Sequence, residues 1–207
     1  MLNAMKTRGK SLVAGIFLVA GGLTLGMAES KAEPRDFILD KTHLYITFFV
    51  SHIGYSDLAG MFLEADGSFT YDEDAKELSA AEVTIKTDSV FTNHEARDNH
   101  LRGADFLNVK EFPEMTFVAT KAERISDTEG KVTGDLTLLG VTKPVTLDVT
   151  FNKAGNYPFG DGHYAVGFDA TGSFKRSDFG MSYGVQGDIV GDEIKLVIGA
   201  EGIRQGD

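Results

Sequence analysis

The stretch TFFVSH, residues 47–52, decides the fold: Phe48, Val50 and His52 fall on one side of an extended chain, and Thr47, Phe49 and Ser51 on the other. Successive side chains of a strand point to opposite faces, so this period of two marks a strand with one apolar face. The pattern recurs in Val83 and Ile85, in Met115, Phe117 and Ala119, in Leu136 and Leu138, in Val145, Leu147 and Val149, and in Ile194, Leu196 and Ile198. One closed or strongly curved antiparallel sheet gathers all these faces inward, which predicts an all-β barrel with a hydrocarbon interior. Such a sleeve holds either its own packed side chains or an apolar ligand.

Glycine-bearing pairs punctuate the runs. Asp66-Gly67, Glu129-Gly130, Gly155-Asn156, Asp161-Gly162 and Gly191-Asp192 are read as hairpin turns, where a left-handed backbone is wanted. Pro113 precedes a strand and Pro144 opens one, positions where a missing N–H does no harm to the ladder. On the order of eight to ten strands are expected, a size whose interior fills itself or holds one ligand. From Thr92 to Phe112 the rhythm breaks. Asn93 is read as the cap of a short helix with Glu95 in its first turn, and Leu101 and a nearby aromatic as facing the barrel from a lid or side wall.

Residues 1–32 read as an export signal rather than part of the fold. Lys6, Arg8 and Lys10 form a basic head, Ser11 to Ala28 carry no charge, and small residues allow cleavage after Ala28 or Ala32. A permanent membrane anchor is the alternative, disfavoured by Gly15, Gly21, Gly22 and Gly26 within the apolar run. Residues 33–207 then form one domain, large enough to bury a core without staples. The absence of cysteine excludes disulfides and a cysteine-linked lipid anchor. The chain carries 31 acidic against 20 basic side chains, and removing the leader deepens the imbalance. Nucleic-acid binding is not expected from such a surface.

Catalytic and metal motifs find little support. His94-Glu95 opens a zinc-protease pattern, but Asp98 stands where the second histidine is required. A metal held by His94, Asp98 and His100 is opposed by the neighbouring cations Arg97 and Arg102, so no metal site is assigned. No cysteine and no strained serine elbow offers a nucleophile. The acidic run Asp72, Glu73, Asp74, Glu77 has the composition of an exposed loop. Two polar residues share the apolar face. His52 is read first as a core histidine bonded to a neighbouring strand, and second as a contact for a ligand's polar head. Arg176, on the face of Phe174, needs an acceptor, with a carboxylate such as Asp98 as its expected partner and a head group as the alternative.

Four motifs in register resemble one known family, the YceI-like proteins. They are His52-x-Gly54, RDNHLRGADF (residues 97–106), GDLTLLGVTKPV (residues 134–145) and RSDFGM (residues 176–181), and the resemblance spans about Phe37 to Glu201. It implies a periplasmic protein with an antiparallel lipocalin-like β-barrel and a short helical connection, enclosing an isoprenoid lipid such as a quinone or polyprenyl tail. Carried onto this chain, the tail runs along Phe48, Val50, Phe62, Val83, Ile85, Met115, Phe117, Leu136, Leu138, Leu147, Phe168 and Leu196, with Leu101 and Phe106 closing one side. The resemblance assigns no polar-head contact; His52 and Arg176, from their place on the apolar faces, complete the candidate ligand-binding set.

The expected function is therefore an exported binding protein, not an enzyme, with no cofactor beyond its lipid and no stable membrane anchor after cleavage. A homodimer is left open. Two competing readings stand beside it. One is a hydrolase or isomerase acting on an amphiphile through His52 or the Asp98 and His100 pair. The other is a barrel filled by its own side chains that binds a protein partner through its acidic outside.

Overall fold

The computed structural model describes residues 33–206, and the expected export segment, residues 1–32, lies outside them. Eleven strands and one helix follow in order: β1 (Arg35–Leu39), β2 (Tyr45–His52), β3 (Ser56–Phe62), β4 (Ala65–Asp72), β5 (Glu77–Lys86), β6 (Val90–Phe91), α1 (Glu95–Leu101), β7 (Glu114–Arg124), β8 (Glu129–Leu138), β9 (Val141–Asn156), β10 (Tyr164–Lys175) and β11 (Val190–Arg204). Short 3-10 turns occupy Thr87–Ser89 and Arg176–Phe179. Every pairing is antiparallel. The order β1-β4-β5-β7-β8-β9-β10-β11 returns to β1, so eight strands close a barrel. Among the described residues no helix is long and apolar enough to cross a membrane.

Closure depends on the length of β11. Its C-terminal end pairs with β1, Gly202 opposite Leu39, while Val190 to Gly199 pair with β2. β1 and β2 thus follow one another along a single edge, with residues 40–44 bridging them. β3 and β6 extend the β2 side. Leu63 N–H to Ser89 O and Lys86 N–H to Glu64 O carry the ladder across to β5. No edge of the ring itself is left unpaired, and closure of this kind removes the unpaired N–H and C=O groups that invite aggregation.

The turns differ from the sequence reading in four of five places. Asp161-Gly162 lies in the β9–β10 connection as expected. Asp66-Gly67 falls inside β4, Gly155-Asn156 inside β9 and Gly191-Asp192 inside β11, while Glu129-Gly130 begins β8. Glycine serves close approach as well as turning: a Cβ on Gly67 would lie 2.6 Å from the Glu82 carbonyl. A tight two-residue hairpin falls instead at Leu139-Gly140, with φ of 52° and 72°, between Leu138 and Val141. That is the both-positive geometry of a two-residue turn matched to strand twist.

The long connection does form a short helix, but its cap is His94, whose Nδ1 accepts from Arg97 N–H at 3.2 Å, and not Asn93. Asp98 is buried and accepts from the backbone and hydroxyl of Thr92, and Arg97 donates to Thr92 Oγ1 and O at 2.7 Å each. Arg102 reaches the carbonyls of Asp88 and Val90. These bonds pin α1 to the end of β6, which holds Leu101 over the barrel. An Asp98→Ala variant leaves two buried donors unpaired and should lose about 1–3 kcal/mol of stability. Urea unfolding checks this: the midpoint falls while the slope stays unchanged.

An apolar cavity along the barrel axis

The inward faces do not meet. They enclose a cavity of about 340 Å³ that runs from Arg176, Leu101 and Phe106 beneath the connection to Arg124 and Asp127 on the β7–β8 hairpin. Its volume lies within the usual span for small-molecule sites, about 300–1,000 Å³. Two buried clusters flank it, one around Ile85, Phe106, Met115, Leu136 and Phe179, the other around Phe37, Leu39, Phe69, Val166 and Ala200. Phe48, Val83, Phe117, Leu147, Phe168 and Leu196 also point inward yet remain only half-buried. In a barrel filled by its own residues they would be sealed, so the self-filled reading is not what the structure shows.

Glycines facing aromatic rings keep the space open. Phe48 lies across Gly60 and Phe117 across Gly134, so close that a Cβ on either glycine would come within 2.2 or 2.3 Å of the ring. Each ring is laid flat along the wall. A side chain on the facing residue would tip it into the lumen.

The two ends differ. At the β7–β8 end the lining includes Lys76, Glu123, Ser126, Glu129 and Lys131, several of them exposed, so the cavity opens to solvent through a charged rim. A register irregularity between Ala119 and Lys121 produces this rim. The extra residue shifts the inward set from odd to even positions, and Ala122 and Arg124 take the lining where simple alternation continues Met115, Phe117 and Ala119. At the other end Phe106, Leu107, Met181 and Arg176 are buried and close the floor.

Arg176 is 1% exposed. Its expected carboxylate partner, Asp98, is committed to Thr92 instead. The guanidinium donates to four carbonyls, those of Gly191, Met181, Tyr183 and Val190, each at 2.8 Å. Its central carbon, Cζ, lies over the Phe106 ring, 5.9 Å from the centroid. Burial pulls its pKa below the ordinary arginine value, and the charge of Asp192, itself held by Ser177, offsets part of that. The residue therefore stitches the 176–191 segment into the floor. Charged donors buried with full hydrogen bonding act as cross-links, and an Arg176→Met variant, which strands four carbonyls, should lose roughly 3 kcal/mol or more. Denaturant unfolding measures the loss.

Of the residues expected to face a ligand, Phe48, Val50, Phe62, Val83, Ile85, Leu101, Phe106, Met115, Phe117, Leu136, Leu138, Leu147, Phe168, Arg176 and Leu196 line the cavity. His52 does not. It is exposed at the end of β2, beside the left-handed Ile53 and Gly54, so it is neither a core histidine nor part of the lining. The proposed acid–base pair is not brought together either, since Asp98 faces Thr92 and His100 Nε2 faces Asp105 at 3.0 Å. Sequence reading missed Phe69 on β4 and Phe151 on β9, which also line the cavity. Period-two alternation around Phe69 and Tyr71 was available as a signal, obscured by reading Asp66-Gly67 as a turn.

A Gly134→Val substitution should force Phe117 into the lumen. Such overpacking costs about 1–3 kcal/mol, and uptake of a hydrophobic fluorescent probe should drop relative to the parent chain. Unchanged uptake would show that the ring finds room elsewhere.

A closed antiparallel barrel around an apolar cavity defines a lipocalin-like protein. Residues 37–201 match the family model of the YceI-like domain. Protein YceI of Escherichia coli O157:H7 is 41% identical over 189 residues, covering 89% of this chain and 96% of its own. A protein from Pseudomonas paraeruginosa, UPF0312 protein PSPA7_0523, is 40% identical over 198 residues, covering 95% and 99%. This chain belongs to the YceI-like family. The crystal structure of the Campylobacter jejuni YceI protein superposes with a TM-score of 0.67 at 34% identity, covering 76% of this chain and 90% of that one. A polyisoprenoid binding domain from Saccharophagus degradans shares the fold at 13% identity, with a TM-score of 0.60 and coverage of 82% and 98%.

Proposed function

We propose that this protein is an exported, periplasmic carrier or reservoir that holds a long isoprenoid lipid of the quinone or polyprenyl type inside its barrel, without turning it over and without a further cofactor. The observation that carries the proposal is the hollow interior: strands all round the ring contribute aliphatic and aromatic side chains to one continuous space. The Saccharophagus degradans domain of the same fold is named for polyisoprenoid binding, which favours a prenyl chain over other apolar ligands. The basic, then uncharged, opening of the sequence supports export.

Binding energy then comes from the tail. Each buried methylene contributes about 0.8 kcal/mol gross, so several isoprene units outweigh any head-group contact, although ordering costs hold the net affinity far below that sum. Arg176, with its donors on four backbone carbonyls, is a poor anchor for a head group. Below the charged rim the lining is largely apolar, and such a wall discriminates the length and girth of a tail more than head identity. The residues weighed for catalysis support a binding role, because His52 lies outside the cavity lining and Asp98 is engaged in structure.

Solvent extraction and native mass spectrometry of protein purified from a quinone-replete host test the proposal. A stoichiometric prenyl lipid is the expected finding. Lipid-free protein that also fails to take up added prenyl lipid would overturn it.

A further inference from the structure

Outside the barrel, where β1 hands over to β2 along β11, three potential metal ligands converge. We propose that Asp40, His43 and Glu201 form a binding site for a zinc-type divalent cation on the outer wall. One atom from each, a carboxylate oxygen of Asp40 and of Glu201 and a ring nitrogen of His43, lies within 4.8 Å of the others. The site is independent of the lipid cavity: Glu201 falls between Ala200 and Gly202 on β11, one residue out of phase with Ile198 and Ala200, which line the interior.

The geometry is held before any ion arrives. Asp40 N–H donates to the Glu201 carbonyl at 2.8 Å, fixing the two segments side by side. Thr42 donates to Asp40 Oδ1 through both its backbone N–H at 2.8 Å and its hydroxyl at 2.7 Å, which turns Oδ2 toward His43 Nδ1, 2.7 Å away. On the far side of the ring, His43 Nε2 is 3.5 Å from the Tyr157 hydroxyl. That arrangement suits a histidine that ligates through Nδ1 while its other nitrogen keeps the proton, the outer support metal-bound histidines normally have. Asp40 is mostly covered, whereas His43 remains 45% exposed, leaving an approach for the ion and positions for water.

A second observation points to a missing positive partner. Glu201 Oε2 is itself covered, on a side chain 33% exposed overall, and has no hydrogen-bond donor; His163 Nε2 is the other covered side-chain atom without a partner among the described residues. His43 Nδ1 stands 3.8 Å from it, too far to donate. Buried polar atoms in native proteins are almost always satisfied. A cation bridging Nδ1, Asp40 Oδ2 and Glu201 Oε2 satisfies this one. One imidazole with two carboxylates and open positions matches zinc better than calcium or magnesium, which take oxygen alone. The ion would cross-link the end of β1, the start of β2 and β11, where the wall passes from β1 to β2.

Titration of tag-free protein with Zn²⁺, followed by calorimetry and by thermal unfolding, tests the site. The expected result is one ion per chain and a raised Tm, with His43→Ala and Glu201→Gln each weakening affinity by about tenfold or more and abolishing the Tm shift. Co²⁺ bound to the unmodified chain should show visible d–d absorption, a readout that needs no variant to fold. No saturable binding, or binding undiminished in both variants, would overturn the proposal.

Discussion

The number of strands in the ring is the constraint on which the rest of the molecule depends. Eight strands set a circumference at which an interior is just wide enough to be filled by side chains or to hold one ligand. Which outcome occurs is settled by where the large side chains lie. Phe48 and Phe117 are laid along the wall over Gly60 and Gly134, and volume that these rings would occupy as plugs is left free. The lumen is therefore a consequence of paired choices on neighbouring strands.

The closed end shows how a polar network can support an apolar site. Arg176 binds carbonyls from two separated stretches, 181–183 and 190–191, and α1 is tied down through Asp98, Arg97 and Arg102. None of these groups needs a ligand to complete its bonding. They hold Leu101, Phe106 and Met181 as a rigid floor, while the charged residues of the opposite hairpin leave the other end accessible. The polarity of the barrel thus runs from a sealed base to a charged, exposed rim.

Alternation was the most legible part of the sequence. It placed Phe48, Val50, Met115, Phe117, Leu136, Leu138, Leu147 and Leu196 in the lumen without any knowledge of which strands pair. It misled where the lattice is irregular or ends. The β7 irregularity brought Arg124, not a continuation of Ala119, to the rim. At the end of β2 the period holds for His52, but the enclosure stops short of it. Glycine was ambiguous for a physical reason: the same residue permits a turn and permits two backbones or a ring to come close, so Gly67 and Gly191 read as turns while lying inside strands.

The sequence by itself determined that the chain forms strands, that one face of each is apolar, and that a helical interruption would break the pattern between residues 92 and 112. These are local properties, set by side-chain chemistry and the two-residue period of an extended backbone. Only the tertiary structure decided that β11 is shared between β1 and β2, that Arg176 is satisfied by carbonyls and that Asp40, His43 and Glu201 meet on the outer wall. Those facts depend on register and closure between residues far apart in the chain, and no local pattern encodes the distance between two strands.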